Sequence, residues 1–410
     1  MKFFKNSFIF LLMLSVVSIY SNGQSETKNK GKFIEKKNEF WEEIKTGIDE
    51  FNKKDTKKKL SYVMDFDDVN IPKSEKDFYQ QWHNPPISQG STGTCWCFCS
   101  TSFFETEAFR INKTKIKLSE MFTVYWQYVE KARRFVRERG ESEFGEGAQA
   151  NATKEMYKQY GCVPASAYSG MKPGQKFHDH SKMFGEMRTY LNKIKELNIW
   201  NEEAVIANIK AILNYYLLVP PTTFDYEGKS YTPKEFLENY IKLNPDDYVD
   251  VMSLLELGYW KKILYDVPDN WWKDTSYNNV PLDDYMSVIK KAIKKGYTMD
   301  LGGDVSEAGI ESHLNVAMVP SFDIPSSYID EYARQFRFSN NTTTDDHGIH
   351  LVGYKEEGGK TWFLIKDSGS GAKNGKAVGY YFFHEDYIKL KIMSIFIHKS
   401  AVEDILKKVN

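Results

Sequence analysis

The sequence predicts an α+β chain of two lobes, helical in its first half and sheet-forming at its end. Two observations carry that reading. From about residue 95 to residue 160, apolar residues recur at helical spacing in segments that begin near Ser or Thr and close at Gly. After Tyr297 the pattern changes to short β-type runs, His347 to Tyr354, Trp362 to Lys366, Ala377 to His384 and Ile392 to His398, joined by Gly-rich or polar turns. Helices first and strands last are the order of an α+β fold, and a cleft between two lobes is a natural place for a site.

In chain order, Lys2 and Lys5 precede the apolar run Phe8 to Tyr20, followed by the small residues Ser21 and Gly23, so residues 1–23 read as an export signal. The run is shorter than the ~20 residues that span a bilayer. The expected location is therefore secreted or periplasmic, with no stable membrane insertion once the signal is removed. Residues 24–75 form an N-terminal extension in which Phe33, Phe40, Trp41, Ile44, Ile48 and Phe51 predict an amphipathic helix. Residues 76–165 form the lobe with three helices, over about 95–111, 119–139 and 150–160. Residues 166–320 read as a mostly helical insertion with aromatic-rich interruptions such as Asp269-Asn-Trp-Trp272. The β lobe takes residues 321–399, and 400–410 form a tail.

Composition narrows the partners. A chain of 410 residues with 41% hydrophobic and 15% aromatic residues is globular, and its net charge of −1 favours neither nucleic acid nor an anionic membrane. A homo-oligomer stays open. Three of the four cysteines, Cys95, Cys97 and Cys99, lie at alternate positions, with Cys162 distant. Such clustering makes poor loop-closing staples and points to local chemistry around one thiol.

That chemistry lies in Gln89-Gly-Ser-Thr-Gly-Thr-Cys95-Trp-Cys-Phe-Cys-Ser100. A thiol attacks as the thiolate, and the unpaired N–H groups of a helix N-terminus favour that form. Cys95 stands where a helix begins, while Cys97, Cys99 and Cys162 read as small core residues. Gln89, on the incoming loop, can donate its amide to a developing oxyanion, with the Cys95 N–H as second donor. A thiolate also needs a partner that protonates the leaving amine. Among eight histidines, Asp346-His347-Gly348-Ile349-His350-Leu-Val-Gly-Tyr354 stands out. His350 reads as a packed strand residue and His83 as structural. The His178/His180 pair lacks a third ligand nearby and makes a weak metal site.

The string Gln, five residues, Cys-Trp-x-Phe resembles the active-site segment of the papain family, and the histidine strand ending in Val-Gly-Tyr resembles the same family. The resemblance implies a papain-like fold with Cys95 as nucleophile, His347 as base and Gln89 as oxyanion donor. Trp362-Phe-Leu-Ile-Lys-Asp367-Ser-Gly-Ser-Gly371 takes the place of the family's Asn-Ser-Trp-Gly. Asp367 then replaces the orienting asparagine, accepting the histidine Nδ1–H, and Gly369 replaces the shielding tryptophan. Leu118-Ser-Glu120 matches the next helix, and Gly147-Ala148-Gln149 matches the stretch whose paired glycines hold substrate backbone, with Ala148 in place of the second glycine. Gly147 and Trp96 are the implied substrate-binding residues.

Thr92 stands where papain has a disulfide-forming cysteine, which is similar to the bleomycin hydrolase (aminopeptidase C) branch, as is Gly302-Gly-Asp-Val305. In that branch the C-terminal tail lies in the cleft and its carboxylate pairs with the substrate's α-ammonium. The resemblance implies a peptide hydrolase that forms an acyl-enzyme, needs no metal or organic cofactor, and acts on peptide or protein substrates as an aminopeptidase. Ala401 to Lys408 reads as a short amphipathic helix, which shortens the tail's reach, so an endopeptidase of the same fold competes. Asp367, Gly369 and Ala148 also fit a non-catalytic peptide-binding protein.

Overall fold

The computed structural model describes residues 38–55 and 60–409. The predicted export signal and Phe33 lie outside the described residues. The chain divides into two compact units, residues 1–60 and 61–410. In the first unit, α1 (Glu39–Asp55) is the predicted amphipathic helix, and its Phe40, Trp41, Ile48 and Phe51 are exposed. No helix among the described residues is long and apolar enough to cross a membrane.

The three predicted helices form at the predicted places. They are α2 (Cys95–Asn112), α3 (Glu120–Arg137) and α4 (Asn151–Tyr160). Ser119 starts α3 because its Oγ accepts the Phe122 N–H at 3.1 Å. Gly161 stops α4 at φ 77°, with the Pro233 carbonyl in the place a side chain would need. Helix α2 is buried around nearly its whole circumference from Trp96 to Ala108, which makes it the central helix of the helical core. Two more helices, α5 (Ser181–Glu196) and α6 (Glu202–Leu217), pack onto that core through Met183, Met187, Ile209 and Leu213.

Among the described residues the main sheet has eleven strands. Its middle runs in the order Tyr248–Met252, Ile392–His398, Met299–Gly303, His347–Glu357, Lys360–Lys366, Tyr380–His384, with antiparallel neighbours. Among the described residues parallel pairs occur only toward the edges, between Tyr277–Asn279 and Tyr248–Met252 and between Val316–Ala317 and Tyr380–His384. A second core of Val251, Leu301, Ile349, Leu351, Phe363 and Ile395 lies between the sheet and helix Leu282–Lys294. The fold is thus of the predicted α+β class, with helical and sheet cores in one compact unit.

One boundary moves. Residues 166–320 are not mostly helical, because beyond α6 the helix Leu282–Lys294 stands among short strands and irregular segments. Tyr248–Met252 and Met299–Gly303 are interior strands of the main sheet. Their β character is masked locally. Asp250 and Asp300 sit mid-strand and are buried, and Gly302 and Gly303 end the second strand. Pairing with Ile392–His398, far along the chain, makes them strands.

The two halves meet where the histidine strand crosses the start of α2. A side chain on Gly348 would come within 3.1 Å of the Trp96 Cα and 3.3 Å of its N. Glycine suits this close approach of backbones, and a larger side chain would crowd it. Gly348→Val is therefore expected to cost about 1–3 kcal/mol, the usual range for forced overpacking. Denaturant unfolding of the variant measures it, and an unchanged midpoint contradicts this packing.

Candidate active site

Cys95 is the first residue of α2. The Thr94 carbonyl accepts the N–H groups of Cys97 at 2.9 Å and Phe98 at 3.2 Å, so the helix turns immediately after the thiol. The Thr94 hydroxyl faces the Thr92 hydroxyl at 2.6 Å and does not cap the helix. No acceptor among the described residues takes the Cys95 N–H, which remains a free donor at a helix N-terminus.

The loop before it is held from three sides. Ser91 donates its N–H to His178 O at 2.8 Å and accepts that of His180 at 3.1 Å. The Gly93 N–H donates to Glu146 Oε2 at 2.9 Å. Gly90 has φ 68°, with the His178 carbonyl where a side chain would sit. The histidine pair that suggested a weak metal site thus lies on the segment that braces this loop, with His180 Nδ1 3.6 Å from Glu146 Oε2. Gln89 is oriented by its neighbours. Its Oε1 accepts the Ser368 hydroxyl at 2.7 Å, and one Nε2 hydrogen goes to Thr92 O at 2.7 Å. The second amide hydrogen is uncommitted.

His347 opens its strand, in register with Gly303, and its Nε2 meets Asp367 Oδ1 at 2.8 Å. The orienting contact is therefore through Nε2 and not Nδ1 as the sequence suggests, because the strand presents the other ring edge to Asp367. That leaves Nδ1 without a carboxylate partner, and Cys95 lines the same cavity as the ring. Burial alone would lower the His347 pKa, but the Asp367 carboxylate and the Cys95 thiolate together hold it well above its ordinary value. Burial likewise opposes ionisation of Asp367, yet His347 and the Gly369 N–H, 2.8 Å from Oδ1, keep its pKa below the usual carboxylate range.

Gly369 lies against this pair. A side chain there would start 3.3 Å from Asp367 Oδ1 and 3.5 Å from His347 Nε2. Even without one, the Asp367 side chain is only 8% exposed, so the hydrogen bond is shielded from bulk water by other groups. His350 is fully buried, with Nδ1 2.8 Å from Ser102 Oγ, the packed strand residue expected. His83 bridges Gln81 O and the Tyr380 hydroxyl.

Beside the thiol lies a cavity lined by Cys95, His347, Asp250, Asp269, Asp300 and Asp345, among others. Trp96 also lines it, although it is buried and its indole N–H is donated to Glu146 O at 3.1 Å. It ties α2 to the segment carrying Gly147. Lys131 supports that segment from below, donating to Gly145 O at 2.8 Å and to Gly147 O. Gly147 itself differs from expectation. The space above its Cα is taken by the Asp269 carboxylate, which a methyl group there would overlap. Ala148 is buried in the cavity wall, and Gln149 donates to Asp345.

Sequence reasoning missed Ser368, Lys131, Glu146 and Asp269. Ser368 was within reach, being next to Asp367. Asp269 lay inside a segment singled out only for its tryptophans, and nothing local ties it to Gly147.

The pattern of the Peptidase C1-like family matches residues 72–410, and the chain belongs to that family of papain-like cysteine peptidases, in its aminopeptidase C branch. Aminopeptidase C of Lactococcus lactis subsp. cremoris is 21% identical over 382 residues, covering 82% of this chain and 85% of that protein. Aminopeptidase C of Streptococcus thermophilus is 24% identical over 318 residues, covering 65% and 69%. The crystal structure of PepW from Lactobacillus rhamnosis HN001 shares the fold, with a TM-score of 0.64 at 18% identity, over 80% of this chain and 84% of that one.

All four cysteines are free thiols; Cys95 is partly accessible, while Cys97, Cys99 and Cys162 are buried. Burial drives the pKa of each of those three upward. Iodoacetamide is therefore expected to alkylate Cys95 alone in the native protein and all four after unfolding. Peptide mapping checks this, and native labelling of Cys97 or Cys99 at a comparable rate contradicts it.

Proposed function

We propose that the chain is a cysteine aminopeptidase, in which Cys95 and His347 form a thiolate–imidazolium pair. The observation that carries this reading is the 2.8 Å hydrogen bond from His347 Nε2 to the buried Asp367 carboxylate, on a ring that lines one cavity with Cys95. An imidazolium so held is the proton donor that amide cleavage needs.

The thiolate of Cys95 attacks the scissile carbonyl carbon, and the carbonyl π electrons move to oxygen. The Cys95 N–H and the uncommitted Gln89 Nε2 hydrogen receive that oxyanion. As the tetrahedral adduct collapses, the C–N bond breaks and His347 gives its proton to the departing amine. A thioester acyl-enzyme remains. The neutral imidazole then takes a proton from water, the hydroxide adds to the thioester, and the C–S bond breaks. The acid product leaves, and thiolate and imidazolium are restored. Each step uses groups of this chain and water alone. Asp367 orients the ring and stabilises its charge, and Ser368 orients Gln89. The N-terminal apolar run supports export of the enzyme.

Cys95→Ala is expected to abolish turnover of an aminoacyl coumarylamide with the fold intact by circular dichroism. Asp367→Asn keeps the hydrogen bond but removes the charge that raises the His347 pKa. The imidazolium is then lost at lower pH, so the alkaline limb of the kcat profile moves to more acid pH while activity persists. Asp367→Ala loses orientation as well, and kcat falls by about 10²-fold, the lower end of an acid–base contribution. An Asn variant with an unmoved alkaline limb contradicts the charge's role. Equal activity of the Ala variant and the wild type contradicts the orienting role.

A further inference from the structure

The cavity beside Cys95 collects carboxylates without a matching cation. Asp250, Asp269, Asp300 and Asp345 all line it, and among the described residues none has an ion-pair partner within 4.0 Å. Asp300 is 2% exposed, and its Oδ2 finds no hydrogen-bond partner at all. Burial pushes the pKa of each upward, to about 7 for Asp250 and for Asp345. The nearby ammonium of Lys131 is spent on the carbonyls of Gly145 and Gly147. Leaving buried carboxylates unpaired is costly, and a cation entering the cavity would offset that cost.

Asp269 has the telling position. Its carboxylate stands over Gly147, on the segment that Trp96 ties to the first turn of α2. The loop holding it is rigid, because buried Asn270 donates to Tyr265 O at 2.9 Å and Asp274 O at 3.0 Å and accepts the Asp274 N–H at 2.9 Å. A peptide running past Gly147 away from the thiol would meet this carboxylate. The described tail lies elsewhere. Val402 and Ile405 are buried in the sheet core, and Lys408 Nζ lies 3.6 Å from Asp284 and 4.6 Å above the Trp260 ring.

We infer that Asp269, backed by Asp345 and Asp300, receives the charged α-amino group of the substrate and ends the cleft one residue beyond the scissile bond. The inference rests on the aminopeptidase reading and names the residue that enforces it. The cation is the substrate's own amino terminus, because the carboxylate blocks the backbone track and not a side-chain route.

The test compares kcat/KM for an aminoacyl coumarylamide with a free amino group, its Nα-acetylated form, and a longer acetylated peptide with lysine near the cleavage point. The proteins are wild type, Asp269→Asn and Gly147→Ala, whose methyl displaces the Asp269 carboxylate. Stoichiometric alkylation of Cys95 verifies a folded site in each. Wild type is expected to cleave only the free-amino substrate. Both variants are expected to lose about 10–100-fold on it, mainly through KM, the worth of one charge-assisted hydrogen bond. The acetylated substrate should improve relative to the free one. If wild type is restricted to free amino termini and both variants keep that restriction, the aminopeptidase reading stands and the Asp269 assignment falls. If wild type cleaves the acetylated coumarylamide well, both fall. Cleavage of the lysine-containing acetylated peptide that depends on Asp269 would reassign the cavity to a side-chain cation.

Discussion

The site depends on one close contact, the passage of Gly348 across the first turn of α2. A side chain on Gly348 would crowd the backbone of Trp96, at 3.1 Å from its Cα. The contact stands at one end of a longer seam in which Phe103 of α2 packs against His350 and Phe396 of the sheet and Ser102 bonds to His350. It also sets the distance between thiol and imidazole with rigid elements on both sides. The proposed nucleophile, at the start of a buried helix, and the proposed base, on an interior strand, have little freedom to drift, which is what proton transfer geometry requires.

Around this contact the protein treats its carboxylates in two ways. Asp367 is buried but doubly served, by the His347 ring and the Gly369 N–H, and it stays charged. The aspartates of the neighbouring cavity are buried without comparable service, and their ionisation is opposed. The first arrangement stabilises a charge inside the protein. The second holds an incomplete electrostatic site that a substrate cation would complete. His347 links them, because it bonds to Asp367 and also lines the cavity of the four aspartates.

The parts of this account legible in the sequence are those with local causes. Thr94 and Cys95 open a helix, Ser119 caps the next, and Gly161 ends the third with a positive φ. The strand from His347 and the strand ending before Asp367 show as apolar runs, and motif resemblance joined them to Cys95. What escaped was decided by distant partners. Tyr248–Met252 and Met299–Gly303 become strands by pairing with Ile392–His398, against the look of their aspartates and glycines. The choice of Nε2 over Nδ1 depends on how the His347 ring faces Asp367 across the sheet. Gly147 was legible as a position needing no side chain, but the reason, Asp269, comes from a loop far along the chain.

The central claim is that His347 is held as an imidazolium by two negative partners, Asp367 and the Cys95 thiolate. Its ring signals, followed by nuclear magnetic resonance across neutral pH in wild type and in Cys95→Ala, test that claim most directly. The account predicts a ring that stays protonated well beyond the ordinary histidine value of about 6.5, and that titrates at lower pH once the thiolate is removed. A wild-type ring that titrates near the ordinary value, unmoved by Cys95→Ala, would contradict it.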